Sequence, residues 1–253
     1  MSIATEITRL QSAKADIKSA IEEKGVEVGD GTIDTYAEKI GEISVGGGED
    51  FLKYCTTVQF ADLNLFGKED VTLNLDNTTK LTEFYYSPSK EPKPPQNTTV
   101  KHLTINCHTK LTDLKQAFDR KYKEDLTLEH LTLNIDTSEA TSAYYFVSGL
   151  KVLKVIDGQP LNFSKMTNVT SVLSNTTVLE EIRFVENSIP LSINFSSCPK
   201  LSNDTIQSII DGLADLTGGT TQTLTVHQTV YQKIIDNRWD VDITDKKWAL
   251  VKA

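Results

Sequence analysis

The chain has 253 residues, of which 38% are hydrophobic and 24% are charged, a composition typical of a folded globular protein. Its formal net charge is −9, and no stretch concentrates lysine and arginine, so neither nucleic acid nor a membrane surface is expected as a partner. No segment approaches the roughly 18 apolar residues of a membrane span, and the first residues do not resemble a secretory signal. Cys55, Cys107 and Cys198 are too widely spaced to indicate a disulfide framework or a zinc motif.

The first predicted element is an amphipathic helix, which Gly25 is well placed to end in a left-handed conformation. Its seam positions advance by alternating steps of four and three residues, as in a left-handed coiled coil. Isoleucine at both kinds of seam position favours three or more chains, so a homotrimer is expected. The seam consists of Ile3, Ile7, Leu10, Ile17 and Ile21, interrupted by Lys14 and Lys24.

A second, shorter helix is predicted over residues 32–43, where Ile33, Tyr36, Ile40 and Ile43 recur at helical spacing. One interpretation is that the two helices form a hairpin that docks on the rest of the chain. The glycines that follow favour oligomerisation, because a docked hairpin would not need a flexible joint. The predicted organisation is a helical oligomerisation or attachment module at 1–45, a glycine linker at 46–50, and a repeat domain with a C-terminal cap at 51–253.

The larger domain repeats one phrase, L-x-x-L-x-L, in five segments that begin at 100, 128, 150, 179 and 221. The first three spacings, 28, 22 and 29 residues, match the period of roughly 20 to 29 residues that is the signature of leucine-rich repeats, each of which supplies one short parallel strand. The last spacing, 42 residues, is interpreted as widened by an inserted helix. The predicted fold class is α/β: an N-terminal α-helical, coiled-coil-type hairpin, then an irregular leucine-rich repeat solenoid with a parallel sheet. The fourth positions, which should stack inside the coil, are Leu103, Leu131, Leu153, Ile182 and Leu224.

Alternation along each strand predicts which side chains the repeats expose. The second positions should form a ladder of opposite charges, from Lys101, Glu129, Lys151 and Glu180 to the uncharged Gln222. The third and fifth positions should form a polar exposed face, and its candidate binding residues are His102, Thr104, His130, Thr132, Lys154, Glu181 and Arg183. The stacked histidines lack a third ligand of suitable spacing, so no metal site is predicted.

Two aromatic clusters lie outside the repeated phrase. Tyr85 and Tyr86 stand at the base of a proline-rich excursion at 87–99, which is either a recognition loop or an exposed insertion between repeats. The second cluster consists of Tyr144, Tyr145 and Phe146 and admits the same two interpretations, and at least one of its rings is expected in the core. Tyr85 and Tyr86 are therefore added to the candidate binding surface.

The end of the chain contains a predicted helix over residues 202–216, and Trp239 and Trp248 are expected to seal the open end of the core. The sequence lacks dinucleotide-binding, P-loop, serine-hydrolase and zinc-protease motifs. Cys107 and His108 are adjacent on a predicted strand, which directs them to opposite faces and prevents nucleophile–base pairing. No catalytic residue, cofactor or metal is predicted, and the chain is not expected to be an enzyme.

Two parts of the chain resemble a known family. The first part is the segment ITRLQSAKADIKSAIEEKGVEVGDGTIDTYAEKIGEI with its glycine run. It resembles the N-terminal module of tail-associated and baseplate-associated proteins of phages and prophages of Gram-positive bacteria. BspA-like leucine-rich repeat domains are similar to the irregular repeats with LSNDTIQSIIDGLADLTGGTTQTLTV and the closing KKWALV. The resemblance implies a virion structural protein whose helices attach or trimerise and whose repeats are displayed outward. It implies no catalytic residues.

The expected function is that of a non-enzymatic phage or prophage tail-type protein whose repeats bind a host surface or another tail component. The expected partners are further copies of the chain, other tail or baseplate proteins, or a bacterial surface glycan or protein. The expected location is the virion tail, or the host cytoplasm before assembly. The alternative is a bacterial leucine-rich repeat surface adhesin or a soluble protein-interaction scaffold, and the alternative location is the bacterial cell surface. A further alternative is carbohydrate binding by the tyrosine clusters.

Overall fold

A computed structural model of the chain describes residues 3–23, 27–29, 36, 57–59, 69–75, 83–85, 100–119 and 127–253. The backbone divides into two compact units, Met1–Phe51 and Leu52–Ala253. The predicted glycine linker, the proline-rich excursion, and all of the second predicted helix except Tyr36 lie outside the described residues.

The N-terminal unit contains helix α1, Ile3–Glu22. Its predicted stop at Gly25 lies outside the described residues. The last turn of α1 contacts the chain that follows, because Ile21 is buried in a small cluster with Val28 and Tyr36. One seam residue thus already has apolar partners within its own chain.

The C-terminal unit is built on short parallel strands, which confirms the predicted α/β character at the level of mixed helices and parallel sheets. The main sheet has the order β2-β4-β6-β8, from β2 (Asp70–Asn74), β4 (His102–Cys107), β6 (His130–Ile135) and β8 (Val155–Gly158). Two-stranded pairs are formed by β1 (Thr57–Gln59) with β3 (Glu83–Tyr85), and by β5 (Phe118–Asp119) with β7 (Val147–Ser148). A further sheet has the order β11-β10-β9, from β9 (Ile193–Phe195), β10 (Gln222–Val226) and β11 (Trp248–Lys252). The helices of this unit are α2 (Asn203–Gly212), α3 (Gln228–Asp236) and α4 (Asp240–Asp245).

The register of the first strands agrees with the repeated phrase. Leu103 of β4 pairs with Leu131 of β6, and Ile105 pairs with Leu133 two residues later. All four side chains are at most 1% exposed, as alternation requires of the inward face of a strand. The prediction that Leu103 and Leu131 stack is confirmed.

The prediction that Leu153 is the third member of this column is wrong. Leu131 pairs with Ile156, because the register of β8 lies three residues later than the predicted segment requires. The phrase in fact starts at Leu153 and reaches Gly158 at its last apolar position. Gly158 has φ +93°, and a Cβ built on it would lie 2.5 Å from the Leu133 carbonyl oxygen. Since only glycine fits there, the phrase loses a leucine and becomes hard to recognise.

The column continues to Ile182, because the neighbouring Glu181 bridges to Val155. After Ile182, helix α2 occupies the position where another strand would be expected. Hydroxyl groups of α2 accept the hydrogen bonds that the backbone carbonyls of such a strand would accept. Thr205 Oγ1 accepts a hydrogen bond from the Ile182 backbone N–H at 3.3 Å, and Ser208 Oγ accepts one from Phe184 at 3.0 Å.

The last predicted column member, Leu224, is therefore also misplaced. It pairs with Ile193 of β9 and with Leu250 of β11, in a sheet separate from the main one.

A second row of hydrogen-bonded turns follows the strands, and sequence reasoning missed it. The backbone N–H groups of Leu114, Gln116 and Phe118 donate to the carbonyls of Ser142, Tyr144 and Phe146, at 2.8–2.9 Å. The next turn repeats the arrangement, since Ala143, Tyr145 and Val147 donate to Asn168, Thr170 and Val172. Gln116, Tyr145 and Ser171 occupy equivalent places with φ between 52° and 58°. The available signal was an apolar residue at every third position, as in Leu111, Leu114 and Ala117.

The C-terminal helices and β11 cover one end of the core. Trp248 is buried and its indole N–H donates to the Ala214 carbonyl at 2.8 Å, while Trp239 is half-buried against the same core. Ser202 is the N-cap of helix α2, and its Oγ accepts a hydrogen bond from the Thr205 backbone N–H at 3.2 Å. The helix ends at Gly212 rather than at the predicted residue 216.

Candidate binding surface

The outward face of the main sheet holds most of the side chains predicted to bind a partner. Strand alternation buries Leu103 and Leu131 and turns the residues on either side of them outward. His102 aligns with His130, and Thr104 with Thr132, in one parallel register. These four predicted surface residues therefore lie next to one another.

Both histidines on this face are paired with carboxylates on neighbouring strands. His102 Nδ1 lies 2.5 Å from Asp70 Oδ1, and His130 Nε2 lies 2.9 Å from Asp157 Oδ2. The two imidazole rings meet edge to face, with centroids 5.9 Å apart. Within the described ranges, no group of three histidine, cysteine, aspartate or glutamate side chains is arranged to hold a metal ion. The arrangement is thus a hydrogen-bonded ladder of two His–Asp pairs.

A ladder of alternating charges runs beside the histidines. Lys101 Nζ lies 3.1 Å from Glu69 Oε1, and Lys154 Nζ lies 2.6 Å from Glu129 Oε2. The Lys154 ammonium holds the pKa of Glu129 below its ordinary value, mainly through this hydrogen bond, and the carboxylate in turn raises the pKa of Lys154. The backbone of Glu180 bonds to the Lys154 carbonyl, so Glu180 extends the ladder.

The predicted charge ladder therefore exists with two corrections. Lys154 occupies the position predicted for Lys151, which lies in the turn before β8. The cause is the same three-residue shift of the repeat that displaced Leu153. Gln222 is not a rung, because its strand belongs to the other sheet. Lys154 consequently does not belong to the fifth-position column, where Thr132 is followed by Asp157.

Three asparagines on β2, β4 and β6 form a further ladder that was not predicted. Asn106 Nδ2 donates to Asn74 Oδ1 at 2.6 Å, and Asn134 Nδ2 donates to Asn106 Oδ1 at 2.8 Å. In-register identical amides can each donate and accept along the stack, which stabilises the parallel pairing. The signal in the sequence was an Asn three residues after the stacked leucine in both HLTIN and HLTLN.

The remaining predicted surface residues are less closely grouped. Glu181 and Arg183 are exposed, and Glu181 continues the histidine column through its bridge to Val155. Tyr85 is the last residue of β3, but its side chain and all of Tyr86 lie outside the described part of the structure. The sheet face is therefore defined from β2 to Arg183, and the tyrosine contribution stays a prediction.

The predicted oligomerisation seam lies on α1. Ile7, Leu10 and Ile17 are 50%, 55% and 39% exposed, whereas Ile21 is 3% exposed. The Lys14 ammonium, between them in the seam, lies 5.9 Å from the centroid of the Tyr36 ring. The side chain of Ile3 and all of Lys24 lie outside the described residues. The N-terminal unit thus exposes three apolar seam side chains.

No protein-family model matches the chain, and no curated protein or solved structure shows significant similarity to it. Among the helices that the structure describes, none has the length and apolar character needed to cross a membrane.

Proposed function

We propose that the chain is a non-enzymatic phage or prophage tail-type structural protein. In this proposal α1 joins copies of the chain into a homotrimer, and the C-terminal unit is an irregular leucine-rich repeat solenoid. The solenoid binds a bacterial surface or another tail component. The single observation that carries the proposal is the exposed apolar seam on α1.

The seam supports oligomerisation because the described part of its own chain buries Ile21 but leaves three other apolar seam residues uncovered. Ile7, Leu10 and Ile17 keep the four-and-three spacing of a coiled coil and are each at least 39% exposed. Exposed apolar side chains along one face of a helix are typical of a surface that another protein covers, although Lys14 interrupts this one. The occupants we propose are two further copies of α1, since isoleucine at both kinds of seam position favours more than two strands.

The C-terminal unit supports the repeat interpretation through its stacking. Parallel pairs and bridges connect four stacked residues in order: Leu103, Leu131, Ile156 and Ile182. The second row of turns is hydrogen-bonded in the same order. A single turn could not bury its own leucines, so each turn depends on its neighbours for a core. This arrangement favours a rigid scaffold with an extended surface. It favours a binding role, as in the family that the sequence resembles.

The oligomer is tested by light scattering on the full chain. We expect a mass about three times the 28.1 kDa of one chain, and a monomer when Ile7, Leu10 and Ile17 are all changed to serine. A matched control changes three exposed valines of the C-terminal unit to serine: Val185, Val241 and Val251. The control should keep the wild-type mass. A monomeric wild-type chain, or an equal effect of the two triple variants, contradicts the proposal.

The tail assignment is tested by location and by binding. We expect the protein in purified tail particles, and we expect the labelled full chain to bind intact Gram-positive cells or isolated tail components. Recovery of the protein only in the cell-wall fraction of the producing bacterium would favour the adhesin alternative. Binding to neither cells nor tail components would remove the proposed function.

A further inference from the structure

A polar pocket of about 440 Å³ lies in the C-terminal unit, away from the sheet face described above. It is formed by the turn at 167–174, the segment around β9, and the start of β10. Its volume falls in the range of roughly 300–1,000 Å³ that is usual for small-molecule sites. None of its lining residues is charged, and most carry a hydroxyl or an amide.

Three amide side chains in the pocket are fixed in orientation by backbone groups. Asn168 Oδ1 accepts a hydrogen bond from the Thr170 N–H at 3.0 Å, and Asn194 Oδ1 accepts one from the Ser196 N–H at 2.8 Å. Because a backbone N–H can only donate, each amide must direct its oxygen to that N–H and its NH₂ group away from it.

The third amide, Gln222, comes from a strand distant in sequence and is held more firmly. Its Oε1 accepts hydrogen bonds from both the N–H and the hydroxyl of Ser192, at 2.9 and 2.7 Å. Ser192 Oγ in turn accepts a hydrogen bond from the Thr223 backbone N–H at 2.9 Å. The side chain of Gln222 is thus preorganised before any ligand arrives.

The NH₂ groups of these three amides have no hydrogen-bond partner in the described part of the chain. They form, with the hydroxyls of Thr170 and Ser196, a set of neutral donors and acceptors around one cavity. Such a set matches a ligand that is uncharged and rich in oxygen. An anion would lack a cationic partner here, and a largely apolar ligand would leave the amides unpaired.

An aromatic pair lies on the turn that precedes the pocket and is not part of the pocket lining. The Tyr145 N–H donates to the carbonyl of Thr170, a lining residue, at 3.1 Å. Tyr144 and Tyr145 are half-buried, and their rings meet edge to face with centroids 4.4 Å apart.

We propose that this pocket binds a neutral carbohydrate, with Asn168, Asn194 and Gln222 donating hydrogen bonds to sugar oxygens. The inference rests on the proposed role of the C-terminal unit as a binding module, and it names the class of ligand and the site. A protein partner is the competing outcome. It is disfavoured because the pocket presents side-chain amides and hydroxyls rather than the backbone edge that a peptide strand would pair with.

The test uses saturation-transfer NMR on the full chain with methyl β-N-acetylglucosaminide, methyl α-rhamnoside and methyl β-galactoside at millimolar concentration. Binding of at least one glycoside is expected. The variant Asn168→Asp with Asn194→Asp keeps both carbonyl-type acceptors for the backbone but removes the two NH₂ donors, so affinity should fall about tenfold or more. Gln222→Glu does the same at a third, independent segment and should weaken binding about fivefold.

The control is Asn162→Asp, because Asn162 Oδ1 accepts a hydrogen bond from the Ser164 N–H at 3.0 Å in the same kind of turn but does not line the pocket. This variant should bind like the wild type. If none of the three glycosides receives saturation transfer from the protein, the proposal is overturned. Equal losses in the pocket and control variants, with unfolding midpoints unchanged, also overturn it.

The two proposals fail in different ways. Glycoside binding by a chain that is monomeric and binds neither cells nor tail components would remove the proposed function and leave the pocket. Cell binding without glycoside binding, unaffected by the Asn168 and Asn194 changes, would remove the pocket and leave the function.

Discussion

Gly158 provides a sharp test of the stacked strands. The residue has φ +93°, and a Cβ on it would lie 2.5 Å from the Leu133 carbonyl oxygen and 2.9 Å from Asn134 Oδ1. Gly218 is the matched control position. It has φ +85° in the same unit, but a Cβ built on it would have nothing within 4 Å. Replacing each by alanine separates the cost of backbone conformation from the cost of crowding.

The expected magnitudes follow from these two environments. Alanine in a left-handed conformation costs about 1–2 kcal/mol, partly offset by about 0.4–1 kcal/mol from the reduced entropy of the unfolded chain. Gly218→Ala should therefore lower the free energy of unfolding by about 1 kcal/mol. Gly158→Ala must also push β8 away from the Leu133 backbone, which adds about 1–3 kcal/mol of overpacking. A total loss of about 3 kcal/mol is expected.

Urea unfolding of the full chain, followed by circular dichroism, measures both losses. Since the glycines have similar φ values, the difference between the two variants reports the close approach of β8 to β6. If Gly158→Ala costs no more than Gly218→Ala, then the strands are not stacked in the register described here. The register of Leu131 with Ile156 would then also be wrong.

Three further predictions concern charged and ionisable groups. Lys246 Nζ donates to the carbonyls of Ile210, Asp211 and Leu213 at 2.9–3.1 Å at the end of α2, so Lys246→Met should lower the unfolding free energy by about 2 kcal/mol, whereas the same change at exposed Lys200 should not. Burial raises the pKa of Cys198 from 9.0 to about 11, so its thiol stabilises the fold below pH 9 and that contribution is lost as pH rises to about 11; the wild type should therefore lose more stability over this interval than Cys198→Ala. The pKa of Glu129 should rise towards its ordinary value in Lys154→Met, as measured by carboxyl NMR titration.

Each of these predictions has a clear contradictory result. Equal stability changes at Lys246 and Lys200 would remove the role of the ammonium at the end of α2. Parallel pH profiles for the wild type and Cys198→Ala would mean that the thiol is not buried. A Glu129 pKa that is unaffected by Lys154→Met would show that the charge ladder does not form in solution.

The repeats at 100 and 128 could be predicted from the sequence because they keep an apolar residue at every inward position. HLTINC and HLTLNI then give the register without ambiguity, and the structure confirms it. The next repeat could not be placed, since Gly158 removes an inward side chain to make room for the Leu133 backbone. Leu150 and Leu153 lie three residues apart, so the phrase fitted the wrong leucine equally well.

The pocket could not be predicted for a different reason. Asn168, Asn194 and Gln222 have unremarkable neighbours in the sequence, and Gln222 reaches the other two only because α2 takes the place of a strand after Ile182. That replacement sends the following strand to β9 instead of the main sheet. A local pattern carries no signal for such a detour, although the Asn-x-Thr and Asn-x-Ser spacing does indicate turns.

The two polar surfaces of the C-terminal unit differ in what a ligand would have to displace. On the sheet face, Lys101 and Lys154 are paired with carboxylates, and so are His102 and His130. A ligand there must break these existing pairs before it forms its own contacts. The net free energy of binding is therefore smaller. In the pocket, the amide oxygens are engaged and the NH₂ groups are not, so a ligand gains hydrogen bonds without losing any within the protein. We therefore propose that a ligand of this unit binds at the pocket, and that the sheet face chiefly holds successive turns in register.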